Sequence, residues 1–158
     1  MSEQISPVRA ANVTQLPVIP TATDLLPKIP AGVYSVTYVA HETHKFFSRS
    51  NKVVFWFRII DFGDCFNAVL PRYYNVRRLT GKQGRSGQFV PGRSSDFIRE
   101  YCKVSAAPIS RLDRLPMSAF QNVAIKAHVR VVTKDGKQRD LAETLHYSVI
   151  DELLGLDQ

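Results

Sequence analysis

Alternation of apolar and polar residues predicts two strands in this sequence. Residues 33–41 have a period of two and are rich in β-branched and aromatic side chains. Residues 123–132 alternate more strictly, and their apolar positions are Val123, Ile125, Ala127, Val129 and Val131. A period of two places successive side chains on opposite faces of a strand. Each segment is therefore predicted to be a strand, the second with one face in the core and the other in solvent.

Three more strands are predicted from runs of β-branched and aromatic residues. Residues 52–60 are the most hydrophobic run and are typical of a central strand. Residues 65–70 are predicted to begin a third strand that continues through Tyr73 and Tyr74, and residues 141–150 are predicted to be the last. The segments between the strands are predicted to be turns from their polar and glycine residues, and they are 42–51, 61–64 and 134–137.

One amphipathic helix is predicted after a basic, glycine-rich loop at about 80–93. Ser94 or Ser95 can cap the first turn, and Asp96 suits the positive end of the helix dipole. The apolar residues that follow recur at helical spacing, and they are Phe97, Ile98, Tyr101 and Val104. Pro108 is expected to end the helix, and a second short turn is expected from Pro116.

The two ends of the chain are predicted to lie outside the main domain. Residues 1–30 contain five prolines and are predicted to form an extended arm that either docks on the domain surface or binds a partner. Residues 31–150 are predicted to form one domain, which is large enough to fold around its own core. Residues 151–158 are predicted to be a short acidic and apolar tail whose leucines pack on that domain.

The predicted order of elements is three strands, one helix and two strands, which is the order found in the OB-fold. On this order, and on the aromatic rings and cations of its central strands, the chain resembles OB-fold single-stranded-DNA-binding proteins of phages and mobile elements. The resemblance covers residues 31–150. It implies a mainly β, OB-fold-like five-stranded Greek-key barrel with one capping helix between strands 3 and 4. It also implies binding of single strands without catalysis.

Residues 71–114 carry ten cations and three anions, so their net charge equals the +7 of the whole chain. The pI of about 9.6 favours an anionic partner. Rings and three loop glycines lie among these charges, and that combination suits a polyanion with exposed bases. The loop is expected to be flexible and to close over a strand. The cations on or after the helix are expected to contribute only a long-range field, and they are Arg99, Lys103, Arg111 and Arg114.

The predicted nucleic-acid-binding residues combine cations that neutralise phosphates with rings that stack on bases. Adjacent strand residues face opposite ways, so only one of the two tyrosines is expected to reach a ligand unless Pro71 kinks the strand. The alternative is that both tyrosines belong to the core and that the arginines are merely solvated. The predicted residues are Trp56, Arg58, Arg72, Tyr73, Tyr74, Arg77, Arg78, Lys82, Arg85 and Arg93.

No catalytic, metal-binding or cofactor-binding residues are predicted. The glycine loop lacks the P-loop pattern. His41 and His44 make only one pair of metal-type ligands, whereas zinc sites usually have two. Cys65 and Cys102 are in no metal-type spacing and are expected to be small buried residues of a protein from the reducing cytoplasm. A signal peptide and an 18-residue apolar run are both missing from the sequence, so no membrane association is expected.

Three functions follow from this pattern, in order of preference. The first is a non-enzymatic, cytoplasmic single-stranded DNA-binding protein that acts in replication or recombination of a phage or mobile element and contacts the proteins of those processes. The second is a protein-interaction module, such as a host-takeover or defence-inhibiting factor, that uses the basic face on an acidic partner. The third is a metal-dependent nuclease in which Glu42, Asp61 and Asp64 converge on one point. The choice between DNA and RNA and the association of copies into a homo-oligomer stay open.

Overall fold

A computed structural model of the chain describes residues 18–21, 24–46 and 50–158, with the side chain of Phe46 left out. Most of the predicted N-terminal arm, residues 1–17 and 22–23, therefore lies outside the described residues. The described part is mainly β, with antiparallel strand pairs and one α-helix. No helix within it is long and apolar enough to cross a membrane. The expected mainly β class with a single helix is thus confirmed.

Five long strands and one short strand form the main sheet, and two other short strands form a hairpin beside it. The long strands pair in the order β3-β2-β1-β7-β8, β5 adds to β1, and β4 pairs with β6. The helix, α1 (Asp96–Val104), connects the hairpin to β7. The strands are β1 (Gly32–Phe46), β2 (Ser50–Ile59), β3 (Val69–Asn75), β4 (Arg78–Thr80), β5 (Gly84–Arg85), β6 (Gln88–Val90), β7 (Ile125–Val132) and β8 (Tyr147–Leu156).

The core lies between the inner face of the sheet and α1, and aromatic rings fill it. Phe55 of β2 is fully buried, and its ring lies 5.4 Å from Phe97 of α1 and 5.2 Å from Phe120, measured between centroids. Ser95 caps the helix, because its Oγ accepts a hydrogen bond from the N–H of Ile98. The predicted cap, amphipathic helix and short turn after Pro116 are therefore confirmed, and so are the strands predicted at 52–60 and 123–132, apart from their exact ends.

Two predicted strand boundaries are wrong, and the kink considered in the third strand is absent. Residues 42–46 were expected in a turn, but they continue β1 because they pair in register with Ser50–Val54 of β2. The third strand starts at Val69 rather than at residue 65, since Asn67 adopts a positive φ of 71° in the preceding turn. Pro71 causes no kink, because the β2–β3 register runs past it without a shift.

The last strand is displaced towards the C-terminus by six residues at each end. β8 begins at Tyr147 and ends at Leu156, so residues 151–156 are six of the ten residues of a strand and not a tail. Leu153 is fully buried in the core. Residues 141–145 instead form a loop with a short 3-10 turn. The segment predicted as a tail is therefore mostly part of the last strand.

The sheet is not a closed barrel. Its two edges are β3 and β8, which approach each other but form no backbone ladder among the described residues. Residues 27–30 of the arm run along β8, where the Ser148 N–H donates to the Pro27 carbonyl and the Ile29 N–H donates to Ser148 Oγ. Ile19 and Leu26 pack on the outer face of the sheet over Trp56.

Candidate nucleic-acid interface

Two of the predicted binding residues, Arg72 and Tyr74, lie in the interior instead of on a binding surface. Both bond the buried carboxylate of Glu100 on α1: Arg72 donates from Nε and Nη2, and the Tyr74 hydroxyl donates across 2.8 Å. The Leu153 N–H of β8 donates to the same carboxylate at 2.9 Å. These four groups, here called the Glu100 cluster, connect β3, α1 and β8. We therefore correct the prediction that Arg72 and Tyr74 are exposed to a ligand.

Burial and charge make the Glu100 cluster a structural unit. Tyr74 is 3% exposed, and desolvation, together with the nearby Glu100 carboxylate, raises its pKa well above the usual value near 10. The guanidinium of Arg72 lies over the Tyr74 ring, 4.4 Å from its centroid, which is a cation–π contact. A buried ion pair needs such additional contacts to offset the desolvation of its charges.

Tyr73 lies on the opposite face of β3, as the alternation of strand residues requires, and is 41% exposed. It lines a groove of about 330 Å³, here called the outer groove, and Trp56 and Glu42 are among the other lining residues.

Trp56 is buried beneath the described part of the arm, and its indole N–H has no hydrogen-bond partner among the residues described. Arg58, farther along the same face, donates to Asn67 Oδ1 at 2.8 Å.

The glycine-rich loop, which was expected to be flexible, forms hydrogen bonds with β1. Its Gly84 N–H donates to Thr43 Oγ1 at 3.1 Å, and its Ser86 N–H donates to the His41 carbonyl at 2.9 Å. Gly87 is required for close packing, because a Cβ at this position would lie 2.0 Å from Thr43 Oγ1. Short strands carry Arg78 and Arg85, whereas Lys82 and Arg93 lie in the turns between the elements.

A cleft of about 580 Å³ lies between this hairpin and the segment 113–117. We call it the basic cleft. Arg78 and Arg114 are exposed at its walls, and neither forms a salt bridge with a described acidic group, although Arg114 interacts electrostatically with its neighbour Asp113. Asp113 also lines the cleft, but the Arg111 guanidinium bonds it at 2.8 Å and lowers the pKa of its carboxyl. The remaining lining residues are His41, Thr80, Ser86, Gly87, Gln88, Phe89, Leu115 and Met117.

His41 is a buried, neutral residue of this cleft. Its Nε2 lies 3.1 Å from the Gly87 carbonyl and its Nδ1 lies 2.8 Å from the Tyr38 hydroxyl. The carbonyl only accepts, so Nε2 carries the proton and Nδ1 accepts from the tyrosine. Burial lowers the pKa of the His41 imidazole, and the bond to Gly87 opposes this only in part.

The exposed cations of the predicted site differ in whether an acidic group compensates them. Arg77, Lys82 and Arg93 are exposed and, like Arg78, have no ion pair with any described residue. Arg85 pairs with Glu42 of β1 across 3.3 Å. By contrast, the cations of α1 and β7 are mostly compensated, and the compensated ones are Arg99, Lys103, Lys126 and Arg130. Cations without a salt bridge thus lie close together in the sequence on the hairpin and beside the basic cleft, whereas the other described ones are spread along the chain, and these are Lys28, Lys45, Lys52, Arg58 and Lys137.

Sequence reasoning missed three features of this surface. Arg114 was expected to act only at a distance but lies on the cleft wall. In the sequence, Glu100 looks like an ordinary carboxylate residue of a helix, and nothing near it indicates that it bonds Arg72. Phe62 and Phe66 form an exposed stacked pair in the β2–β3 loop, and their flanking turn residues were a usable signal of exposure.

The residues considered for metal or thiol chemistry do not converge. In the described ranges, no group of three His, Cys, Asp or Glu side chains could hold a metal ion. His44 pairs with Glu42 at 3.4 Å. Both cysteines are free; Cys65 is half-buried, and Cys102 is exposed on α1, which corrects the expectation that both are buried.

Comparisons with known proteins give no relative. No protein-family model, no curated protein and no solved structure matches the chain.

Proposed function

We propose that the chain is a non-enzymatic single-stranded DNA-binding protein that acts in replication or recombination of a phage or mobile element. The observation that carries this proposal is a set of exposed cations without a salt bridge on the hairpin and at the basic cleft, namely Arg77, Arg78, Lys82, Arg93 and Arg114. Cations without acidic partners attract phosphates and release the counterions of a nucleic acid. Elsewhere on the described surface, most cations already have a carboxylate partner, so this region is the favourable one for a polyanion.

The strand order supports an OB-fold-like barrel as the scaffold. An OB-fold is a five-stranded, partly open Greek-key barrel. The order β3-β2-β1-β7-β8, with α1 between the third and fourth long strands, is compatible with such a barrel if β3 and β8 are taken as its open seam. The Glu100 cluster bridges that seam with side-chain hydrogen bonds instead of a ladder.

The proposed path of the strand joins the basic cleft to the outer groove. His41 lines the cleft, and the next residue of β1, Glu42, lines the groove on the opposite face. Arg85, which pairs with Glu42, lies at the edge between the two. A strand that crosses this edge would place phosphates near Arg78 and a base against the exposed ring of Tyr73. Stacking on a ring suits an unpaired base, because its face is accessible only in a single strand.

Fluorescence anisotropy with a labelled single-stranded oligonucleotide tests this proposal. The variant Arg77→Glu with Arg78→Glu should lose most of the affinity, since two phosphate contacts become repulsive. The matched control, Lys28→Glu with Lys137→Glu, makes the same charge change at two exposed lysines outside the cleft and should bind like the wild type. Equal binding by both double variants, or binding of duplex as tight as that of single strands, would reject the proposal.

A second candidate is a protein-interaction module that uses the same face on an acidic partner. The apolar walls of the basic cleft, Phe89, Leu115 and Met117, favour it, because a nucleic acid backbone makes no use of them. The two candidates differ in the role of Tyr73. Loss of its ring should weaken binding of a single strand, whereas an acidic protein in the cleft does not need the outer groove.

A further inference from the structure

The loop between β2 and β3 presents two phenylalanines that the core does not use. This segment, residues 61–67, is here called the aromatic loop. Phe62 is 94% exposed and Phe66 is 41% exposed. Their rings stack with centroids 5.5 Å apart and planes at 17°. Single exposed apolar residues are ordinary, but a contiguous exposed pair is typical of an interaction surface.

Hydrogen bonds hold the aromatic loop in one conformation. The Asn67 N–H donates to the Ile59 carbonyl at 2.9 Å, and the Phe66 N–H donates to the Gly63 carbonyl at 3.2 Å. Asp61 accepts from the Ser35 N–H at 2.8 Å, which fastens the start of the loop to β1. A preorganised aromatic pair loses little conformational entropy when it binds, so it is suited to anchor a contact.

The charge of the aromatic loop indicates which kind of binding site would be complementary to it. It carries Asp61 and Asp64 and no cation, although the chain as a whole has a charge of +7. Its carboxylates would repel a phosphate backbone, so a nucleic acid is a poor ligand for this loop. A complementary site would have apolar walls for the rings and cations for the carboxylates.

The basic cleft has both properties. Leu115 and Met117 supply apolar walls, and methionine sulfur makes favourable contacts with aromatic rings. Arg78 and Arg114 supply two cations that form no salt bridge with a described acidic group, and Asp113, which lies beside Arg114, is bonded by Arg111. These two cations match the two carboxylates of the loop. Its volume of about 580 Å³ is sufficient for a compact group of side chains. We infer that the aromatic loop of one copy of this chain docks into the basic cleft of a second copy.

This contact joins two different surfaces, so it is heterologous. Each copy in an assembly has a free loop at one end and a free cleft at the other, and further copies can add unless the arrangement closes into a ring. Arg78 and Arg114 cannot bind a carboxylate and a phosphate together, so self-association and nucleic acid binding should compete. The inference does not depend on the proposed function, because a protein with this contact associates whether or not it binds DNA.

Sedimentation velocity without nucleic acid tests the inference with two variants. The loop variant, Phe62→Ser with Phe66→Ser, keeps an intact cleft, and the cleft variant, Arg78→Glu with Arg114→Glu, keeps an intact loop. Wild-type protein should associate as its concentration rises. Each variant alone should associate about 30-fold more weakly or not at all, as expected for the loss of an interface hot spot. All four substitutions are at exposed positions, so circular dichroism should show wild-type folding.

An equimolar mixture of the two variants gives the sharpest result. A loop from the cleft variant can dock into a cleft from the loop variant, and no second contact is possible, so the mixture should form one-to-one pairs and nothing larger. Leu154→Ser, which also removes an exposed apolar residue, should associate like the wild type. A monomeric wild type, a loop variant that associates normally, or a mixture that stays monomeric would each overturn the inference.

Discussion

The arginines of one basic stretch are used in two different regions of the molecule. Arg72 is in the Glu100 cluster, where its side chain is mostly buried and bonded to a carboxylate and a tyrosine. Arg78, six residues later, is exposed at the basic cleft without an acidic partner. A count of charges along the sequence does not distinguish Arg72 from Arg78. The difference shows that a basic stretch indicates a binding surface only where acidic groups of the fold do not compensate it.

The largest effect that the comparison of Arg72 with Arg78 predicts is a loss of protein stability when the Glu100 cluster is disrupted. Arg72→Met leaves the Glu100 carboxylate buried without its cation and should lower the free energy of unfolding by about 3–5 kcal/mol. Urea denaturation measures this loss. Adding Glu100→Gln removes the unpaired charge but keeps acceptor oxygen for the Leu153 N–H, so the double variant should regain part of it. Arg93→Met is the control, with a change within about 0.5 kcal/mol. Equal stability of Arg72→Met and Arg93→Met would contradict the account.

The second prediction separates the two tyrosines. Tyr73→Ala should weaken binding of a single-stranded oligonucleotide by about 1–3 kcal/mol, since one stacking ring is lost. Because Tyr73 is half-exposed on the outer face, its removal should change stability far less than removal of the buried Tyr74 ring. Anisotropy and urea denaturation of the same variants measure the two effects. Unchanged affinity of Tyr73→Ala would remove the outer groove from the proposed path.

The third prediction concerns the packing that holds the hairpin against β1. Gly87→Ala places a methyl group against Thr43 and should destabilise the protein by about 1–3 kcal/mol, as overpacking does. Combining it with Thr43→Ala should cost less than the sum of the two single changes, because the clash is with the threonine side chain. Thermal or urea denaturation of the four proteins gives this coupling. Strict additivity would show that the contact is not the cause.

The smallest predicted effect is a pH dependence from His41. Its pKa is lowered in the folded state, so the folded protein binds a proton less readily than the unfolded chain. The stability that neutral His41 contributes is complete above the ordinary pKa of 6.5 and decreases as the pH falls towards the lowered value. Urea midpoints between about pH 8 and pH 5 should therefore fall less in His41→Gln than in the wild type. Parallel curves for the two proteins would contradict this assignment.

Local sequence patterns correctly predicted the strands and the helix start that depend on residues close together in the sequence. The strict alternation of residues 123–132 predicted β7, and the serine before an acidic first turn predicted the start of α1. The end of β1 was missed because residues 42–45 are polar on both faces: Thr43 points inward, yet it bonds the Gly84 N–H instead of packing as an apolar residue. Where an inward-facing residue is polar because it bonds a neighbouring loop, the apolar–polar alternation that predicts a strand is lost.

The site was predicted less well than the fold, because contacts between residues far apart in the sequence decide which of its side chains are buried and which are exposed. Arg72 and Glu100 are 28 residues apart, and only the packing of α1 against β3 brings them together. Arg114 reaches the basic cleft by a loop with no repeating pattern. Alternation alone correctly implied that only one of Tyr73 and Tyr74 is exposed, but it did not indicate which one.

The dependence of single-strand affinity on salt tests the central claim most directly. If Arg77, Arg78, Lys82, Arg93 and Arg114 neutralise about five phosphates, log K should fall with log salt with a slope of roughly −3.5, or about 0.7 per contact. Raising the salt from about 50 to 200 mM should then weaken binding roughly 100-fold. In Arg78→Glu with Arg114→Glu the slope should decrease in size by about 1.4. An affinity that does not change with salt, or a slope that this variant leaves unchanged, would contradict the account.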